Sequence, residues 1–283
     1  MKHAFLIMTH DQFGTLNELV SVLDDKRNDI YIHFDKKVKH LPELHTCFSR
    51  LVVLPKRVRV IWGDVSQIKA EYALYKAAAS SGENYAYYHL LSGTHFPLKS
   101  NNELHTWFTA CNGASILRHV PLNNEEIQMR FGRYHFFLKH LIDKNLLVNK
   151  LYHLGWRGAL HIQKVFGIKR DTSFIRGKAS QWCSLSGDAV DLILSQEQKA
   201  LHHFRYSFCS DEFFVLSILQ DSGLPYKYDD RICHVEFVRT TPRKFTENDY
   251  DRLISSDALF FRKMTDAHLN LARKIEQSIG QSE

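Results

Sequence analysis

Two adjacent carboxylates, Asp211 and Glu212 of the stretch CSDEFF (209–214), stand directly before the apolar string VLSIL (215–219). An acid pair at the mouth of a buried element calls for a reason. Either a helix N-terminus favours the negative charge, or a reaction uses a carboxylate to take up a proton. A second concentration of chemistry is cationic: Arg239, Arg243, Lys244, Arg262 and Lys263 crowd the C-terminal tail. Fixed guanidinium and ammonium groups of this kind can neutralise a diphosphate in place of a metal ion. A third set ends strand-like runs: Thr9 and His10, Asp35 and Lys36, Ser92 and Gly93.

Other chemistries lack their signatures. No G-x-x-x-x-G-K-S/T phosphate loop, G-x-G-x-x-G turn or G-x-S-x-G elbow occurs. Seventeen histidines form no H-E-x-x-H or comparable ligand spacing, so no metal site and no other cofactor is expected. The single D-x-D, Asp249-Tyr250-Asp251, falls in a helix-like segment and reads as a solvated helix face. Five scattered cysteines, odd in number and without C-x-x-C spacing, argue against a disulfide framework and for a reducing compartment.

The elements that must carry these residues are legible from periodicity. Short apolar runs at 4–10, 29–35, 51–55, 85–92 and 114–120 have strand length and polar or Gly/Pro ends. Helical patterns lie between them. One starts at Ser66, a candidate N-cap, and presents Ile68, Tyr72, Tyr75 and Ala79 on one face. Another starts at Ser100, which has capping-box spacing to Glu103. After residue 120 the pattern is mostly helical to about 175. A strand over 177–186, helices over 187–198 and 210–223, and a tail helix capped by Thr246 complete the chain. Such alternation predicts an α/β fold with a largely parallel sheet and a ligand crevice at the carboxyl ends of its strands. With no repeat or linker, one domain is expected over residues 1–283, a nucleotide-binding half about 1–120 and an acceptor and catalytic half about 121–283.

The net charge of +6 concentrates between residues 130 and 170, where nine Lys/Arg face one Asp among interleaved Phe, Leu, Tyr and Trp. A solvated helical face is the plain reading. The sharper one is a basic amphipathic surface lying on anionic lipid headgroups or holding a lipid-linked acceptor. No nucleic-acid-binding motif accompanies the charge, so a nucleic-acid partner is not expected. The N-terminal apolar run is too short for a membrane span or signal peptide, and a cytoplasmic setting, peripheral on the inner face of the cytoplasmic membrane, is the expectation.

In order along the chain, DIYIHFDKK (29–37), VIWGDVSQIKAEYALYKAA (60–78), YYHLLSGTHFPLKS (87–100), GKASQWCSL (177–185), CSDEFFVLSIL (209–219) and SSDALFFRKM (255–264) resemble segments of family 14 glycosyltransferases, the core-2/I-branching β-1,6-N-acetylglucosaminyltransferase and peptide O-xylosyltransferase group. The resemblance implies a bacterial-type member with a GT-A-type fold, in which the basic helical stretch read above would be an insertion. It also implies inverting, metal-independent transfer from a UDP-sugar, with N-acetylglucosamine the expected sugar, to a cell-surface glycan or lipid-linked oligosaccharide.

Carried over by position, Glu212 becomes the catalytic base. Asp35 contacts the uridine part of the donor, and Lys263 binds its diphosphate with help from Arg239 or Arg243. Thr9, His10, Ser92 and Gly93 complete the donor side; Gln181, Trp182, Asp211 and His95 form the acceptor side. Trp182 has a core reading too, and Trp62 is expected to be structural, packed under the loop before the Ser66 helix. Three residues depart from the family pattern: His95 stands where an Asp is usual, Ser210 replaces a Pro, and Gln181 replaces an acidic residue of the xylosyltransferase branch. The alternatives are a catalytically lapsed glycan- or membrane-binding module, for which His95 is the main support, and a UDP-xylose-dependent enzyme.

Overall fold

Strand and helix alternate through the first hundred residues as the periodicity predicts. In the computed structural model, which describes residues 1–142 and 145–280, they are β1 (Lys2–Thr9), α1 (Phe13–Val22), β2 (Asn28–Phe34), β3 (Arg50–Val53), α2 (Ser66–Ala79), β4 (Tyr85–Ser92), the short β5 (Phe96–Pro97) and α3 (Asn101–Ala110). The second part carries β6 (Ser115–Leu117), α4 (Asn124–Phe131), α5 (Leu146–Val165), β7 (Ser184–Ser186), α6 (Gly187–Ser195), α7 (Glu197–Phe204), α8 (Phe214–Leu219) and β8 (Tyr226–Tyr228). β9 (His234–Val235), the hairpin of β10 (Phe237–Val238) and β11 (Thr241–Pro242), α9 (Tyr250–Ile254), β12 (Phe260–Arg262) and α10 (Leu269–Gly280) follow. Asp143 and Lys144 of the basic stretch lie outside the described residues.

Seven strands form one sheet in the order β3-β2-β1-β4-β7-β6-β8. The fold is therefore α/β with a mostly parallel sheet, and β7 alone among these strands runs antiparallel to its neighbours β4 and β6. Alternate residues of β1 enter two separate cores, because successive side chains on a strand point to opposite faces. Phe5 and Ile7 pack with Leu16 and Leu19 of α1, Phe108 of α3 and Leu271 of α10. Ala4 and Leu6 pack with Ile68 and Tyr72 of α2, Val190 of α6 and Phe214 of α8. Each fully buried Leu or Phe stabilises the fold by about 2 kcal/mol. From β3 the chain returns across β1 to lay β4 on the other side. That reversal leaves a crevice at the carboxyl ends of β1 and β4.

Several local expectations hold and several shift. The Ser100–Glu103 capping box is present: Ser100 N–H donates to Glu103 Oε2 at 2.8 Å, and Glu103 N–H donates to Ser100 Oγ at 3.3 Å. Ser66, by contrast, is already helical. Its Oγ accepts Ile61 N–H at 2.9 Å, and Asp64 Oδ1 receives the Ser66 N–H. The strand expected over 177–186 pairs in the main sheet only at Ser184–Ser186, because the preceding residues bend away to bond Arg118 and Glu212 carbonyls. The helix expected over 187–198 divides at Gln196. The one expected from 210 starts as a 3-10 turn, Ser210–Glu212, after Cys209 at φ 51°. The acid pair therefore sits on a tight turn ahead of α8.

At the opposite end of the sheet, Asp29 is almost fully buried where β1, β2 and β4 begin. Its Oδ2 accepts from Tyr85 O–H and pairs with Lys2 Nζ at 3.1 Å, and Tyr85 shares a hydrogen bond with Tyr31. Removing one partner of a buried network strands the others without water. Asp29→Ala is expected to lower unfolding free energy by about 3 kcal/mol in urea titration. A change below about 0.5 kcal/mol would contradict this account of the network.

Candidate active site

Three parallel strand ends meet through two backbone hydrogen bonds. Asp35 N–H donates to Thr9 O and Gly93 N–H donates to Met8 O, both at 2.9 Å. Gly93 must be glycine here, since a Cβ would lie 2.5 Å from Thr9 Oγ1. Asp35 is nearly buried, its Oδ1 accepting Lys37 N–H and its Oδ2 lying 3.2 Å from Lys37 Nζ. Because β7 is antiparallel to β4, the residues preceding it arrive at the same end of the sheet. Gln181 and Trp182 thus come to face Thr9 and Ser92 across one cleft of about 1050 Å³.

The cleft wall carries eight Lys or Arg against four Asp or Glu, so its field favours an anionic ligand. Lys263, Arg262 and Lys244 lie together with Asp11 close by. Burial, and then the neighbouring Arg262, lowers the pKa of the Lys263 ammonium. Burial also lowers that of Arg262, whose guanidinium covers the Trp182 ring at 5.0 Å and whose Nε is buried without a hydrogen-bond partner among the described residues. Lys263 and Arg262, partly dehydrated and with no ion pair among the described residues, are unfavourable as neighbours alone and become favourable when a polyanion enters.

The acids occupy another part of the same wall. Glu212 is about one-third exposed, and its Oε2 faces Arg130 at 3.4 Å and Lys178 at 3.5 Å. Glu126 binds the same two cations, each at 2.8 Å, so these four side chains form one network. Both contacts of Glu212 fall on Oε2; Oε1 has none among the described residues. Next to it, burial and the Glu212 charge push Asp211 up to about 6. Asp211 Oδ2 accepts Gln67 Nε2–H at 3.1 Å, while its Oδ1 is buried with no hydrogen-bond partner among the described residues. Behind Asp211, fully buried Glu71 is held well above the usual carboxyl range by burial, and then by the Asp211 charge. Gln181 Nε2–H donates to Glu71 Oε1 at 2.8 Å, which fixes Gln181 from behind.

Of the residues singled out in the sequence, Thr9, His10, Asp35, Ser92, Gly93, Gln181, Trp182, Asp211, Glu212 and Lys263 line the cleft. Three do not. His95 is fully buried behind the wall, where its ring meets Trp182 at 5.1 Å and its Nδ1 accepts Ser92 N–H; burial and the Arg262 charge hold it neutral. It can brace Trp182 but cannot reach an acceptor. Arg243 is bound to Glu236 and to Asp249, the buried member of the D-x-D pair. Asp249 is thus an ion-pair partner, contrary to its reading as part of a solvated face. Arg239 is exposed at the turn between β10 and β11 with φ 57°. Arg262 and Lys244 occupy the wall beside Lys263 in their place.

Arg130 and Lys178 went unnoticed in the sequence because their partner Glu212 is distant along the chain. Trp62 also differs from expectation. It is half exposed on the cleft wall and packs edge-on against Phe208 at 5.4 Å. Its place in the WG pair was the available signal.

Comparison with known proteins adds four findings. A family model described as "Branch: Core-2/I-Branching enzyme" matches residues 3–256. The N-acetyllactosaminide beta-1,6-N-acetylglucosaminyl-transferase of Homo sapiens is 23% identical over 231 residues, 78% of this chain and 53% of that protein. The beta-1,3-galactosyl-O-glycosyl-glycoprotein beta-1,6-N-acetylglucosaminyltransferase 4 of Danio rerio is 26% identical over 136 residues, 45% of this chain and 32% of that protein. The chain thus spans about half the length, or less, of these curated relatives. Mouse xyloside xylosyltransferase 1 superposes with a TM-score of 0.40 at 10% identity, over 92% of this chain and 96% of that one, a likeness too loose to argue from.

The raised Asp211 carboxyl makes a signed prediction. Its proton is held more tightly in the folded state, so its contribution to stability is full below about 4 and is lost as pH rises through about 6. Asp211→Asn keeps a hydrogen-bond acceptor for Gln67 and cannot ionise. The unfolding free energy of the variant relative to the parent should therefore rise by about 2 kcal/mol between pH 4.5 and 7. A difference that stays flat across this range would refute the assignment.

Proposed function

This chain belongs to the Core-2/I-Branching enzyme family, and from that premise we propose that it is an inverting glycosyltransferase. In this reading it moves a sugar, N-acetylglucosamine in β linkage first among the candidates, from a UDP-sugar to a hydroxyl of a cell-surface glycan. No divalent cation takes part. The observation that carries the reading is that one cleft holds both the Glu212 carboxylate and the cations Lys263, Arg262 and Lys244. The names of the relatives, β-1,6-N-acetylglucosaminyltransferases, support this choice of sugar.

Glu212 Oε1 accepts the proton of the acceptor hydroxyl as that oxygen attacks the anomeric carbon. The bond from this carbon to the β-phosphate oxygen breaks on the opposite face, and its electron pair leaves with UDP. Configuration therefore inverts. The proton ends on Glu212 and the new charge on the diphosphate, where the three cations stabilise it in a partly dehydrated setting. Asp35 lies at the uridine end, among the strand-end residues Thr9, His10, Ser92 and Gly93. Trp182 offers a sugar ring an apolar face. Gln181, held by Glu71, and Asp211 are the polar groups on the acceptor side. His95 sits behind the wall, so its difference from the family pattern gives little support to a lapsed enzyme.

Glu212→Gln is expected to reduce turnover of UDP-N-acetylglucosamine by about 10²–10⁴ while leaving UDP affinity within about twofold. Lys263→Ala is expected to weaken UDP binding and to slow transfer by about 10²-fold. Turnover at the parental rate in purified Glu212→Gln protein would remove Glu212 as the base.

A further inference from the structure

Helix α5 shows two different faces. Its inner face is fastened to the preceding segment. Trp156 Nε1–H donates to His135 Nδ1 at 3.0 Å, Gln163 bonds both backbone groups of Tyr134, and Asn149 Nδ2–H donates to the Leu141 carbonyl. Its outer face carries Leu147, Leu151, Leu154, Ile162 and Val165, every one more than half exposed. With Gly158 these residues recur at steps of four, three, four, four and three, which on a helix makes one straight stripe. Lys150, Arg157 and Lys164 recur every seven residues and so form a cationic row along one flank of the stripe. No Asp or Glu occurs anywhere from Asn145 to Arg170.

We propose that this face of α5 seats the protein on an anionic lipid bilayer, with the active cleft opening beside the lipid surface. The apolar stripe enters the headgroup boundary while the long Lys and Arg stems reach sideways to the phosphates. Among the described residues no helix is long and apolar enough to cross a membrane, so this contact lies along the surface. A second copy of the chain laid on the same face would meet the same acid-free surface, leaving the cationic row without partners. The segment before α5 links the seat to the site, because Leu138, Lys139 and Ile142 line the cleft and Ile142 is itself exposed. An acceptor anchored in the bilayer would therefore be presented at the cleft mouth. The membrane seat goes beyond the transfer reaction and is tested without it, whereas the presentation of an acceptor rests on that reading.

The test is flotation of the full chain with vesicles of phosphatidylcholine alone or containing about one-third phosphatidylglycerol, a fraction chosen to give a strongly negative surface. The chain is expected to float with the anionic vesicles and not with the neutral ones, with binding lost as salt rises. Lys150→Gln/Arg157→Gln/Lys164→Gln should weaken partitioning about a hundredfold, from roughly fivefold per cation. Leu147→Ser/Leu151→Ser/Leu154→Ser should also abolish flotation. Both variants alter only exposed side chains and should keep the parental melting temperature and turnover with a soluble acceptor. The proposal is overturned if the parent stays soluble with anionic vesicles at low salt, or if the serine variant floats as well as the parent. It also fails if the parent is a dimer that the serine variant dissolves and neither protein binds vesicles, since the face would then be a contact between copies.

Discussion

The close approach of Gly93 to Thr9 is the contact on which the rest of the site depends. A missing Cβ lets the end of β4 lie against the end of β1, and the two backbone hydrogen bonds to Met8 and Thr9 carbonyls bring Ser92, Thr9 and Asp35 to one level. The strand order of the main sheet reverses at this junction, which leaves a crevice there. Two later segments are delivered there by direction alone. β7 runs antiparallel and brings Gln181 and Trp182 in from the carboxyl side. β12 pairs with β5 and β9 and brings out Arg262 and Lys263.

Charge in the cleft is arranged at two depths. Asp211 on the wall and fully buried Glu71 behind it are carboxyls whose ionisation is resisted by burial. Next to Asp211, Glu212 keeps a partly exposed carboxylate between Arg130 and Lys178. The Lys263, Arg262 and Lys244 cluster stands on the same wall. Water screens these groups weakly in a recess of this kind, so fixed cations there are worth more to a diphosphate than the same side chains on an open surface.

What the sequence made legible was what short-range spacing controls. The Ser100–Glu103 cap, the strands of the parallel sheet and the helical run behind the acid pair each depend on residues a few positions apart, whereas the 3-10 turn that carries the pair itself reads as helix. Residues paired through the fold were not legible. Arg243 resembles a free cation in the sequence, yet Glu236 and Asp249 occupy it, while its neighbours Lys244 and Arg262 face the cleft. His95 stands within a site-like motif, but the turn after β4 directs its ring behind Trp182. The 177–186 run has strand composition, and tertiary bonds to Arg118 and Glu212 carbonyls draw most of it out of the main sheet. The basic stretch was legible as amphipathic; that its apolar stripe faces outward required the anchoring of Trp156 and Gln163 to be seen.

The central claim is that side-chain cations, and no metal ion, hold the donor diphosphate in this cleft. Calorimetric titration of the full chain with UDP, in EDTA and then in excess manganese, tests it most directly. The account predicts saturable binding in EDTA whose affinity manganese leaves unchanged. Binding that vanishes in EDTA and returns with manganese would contradict it.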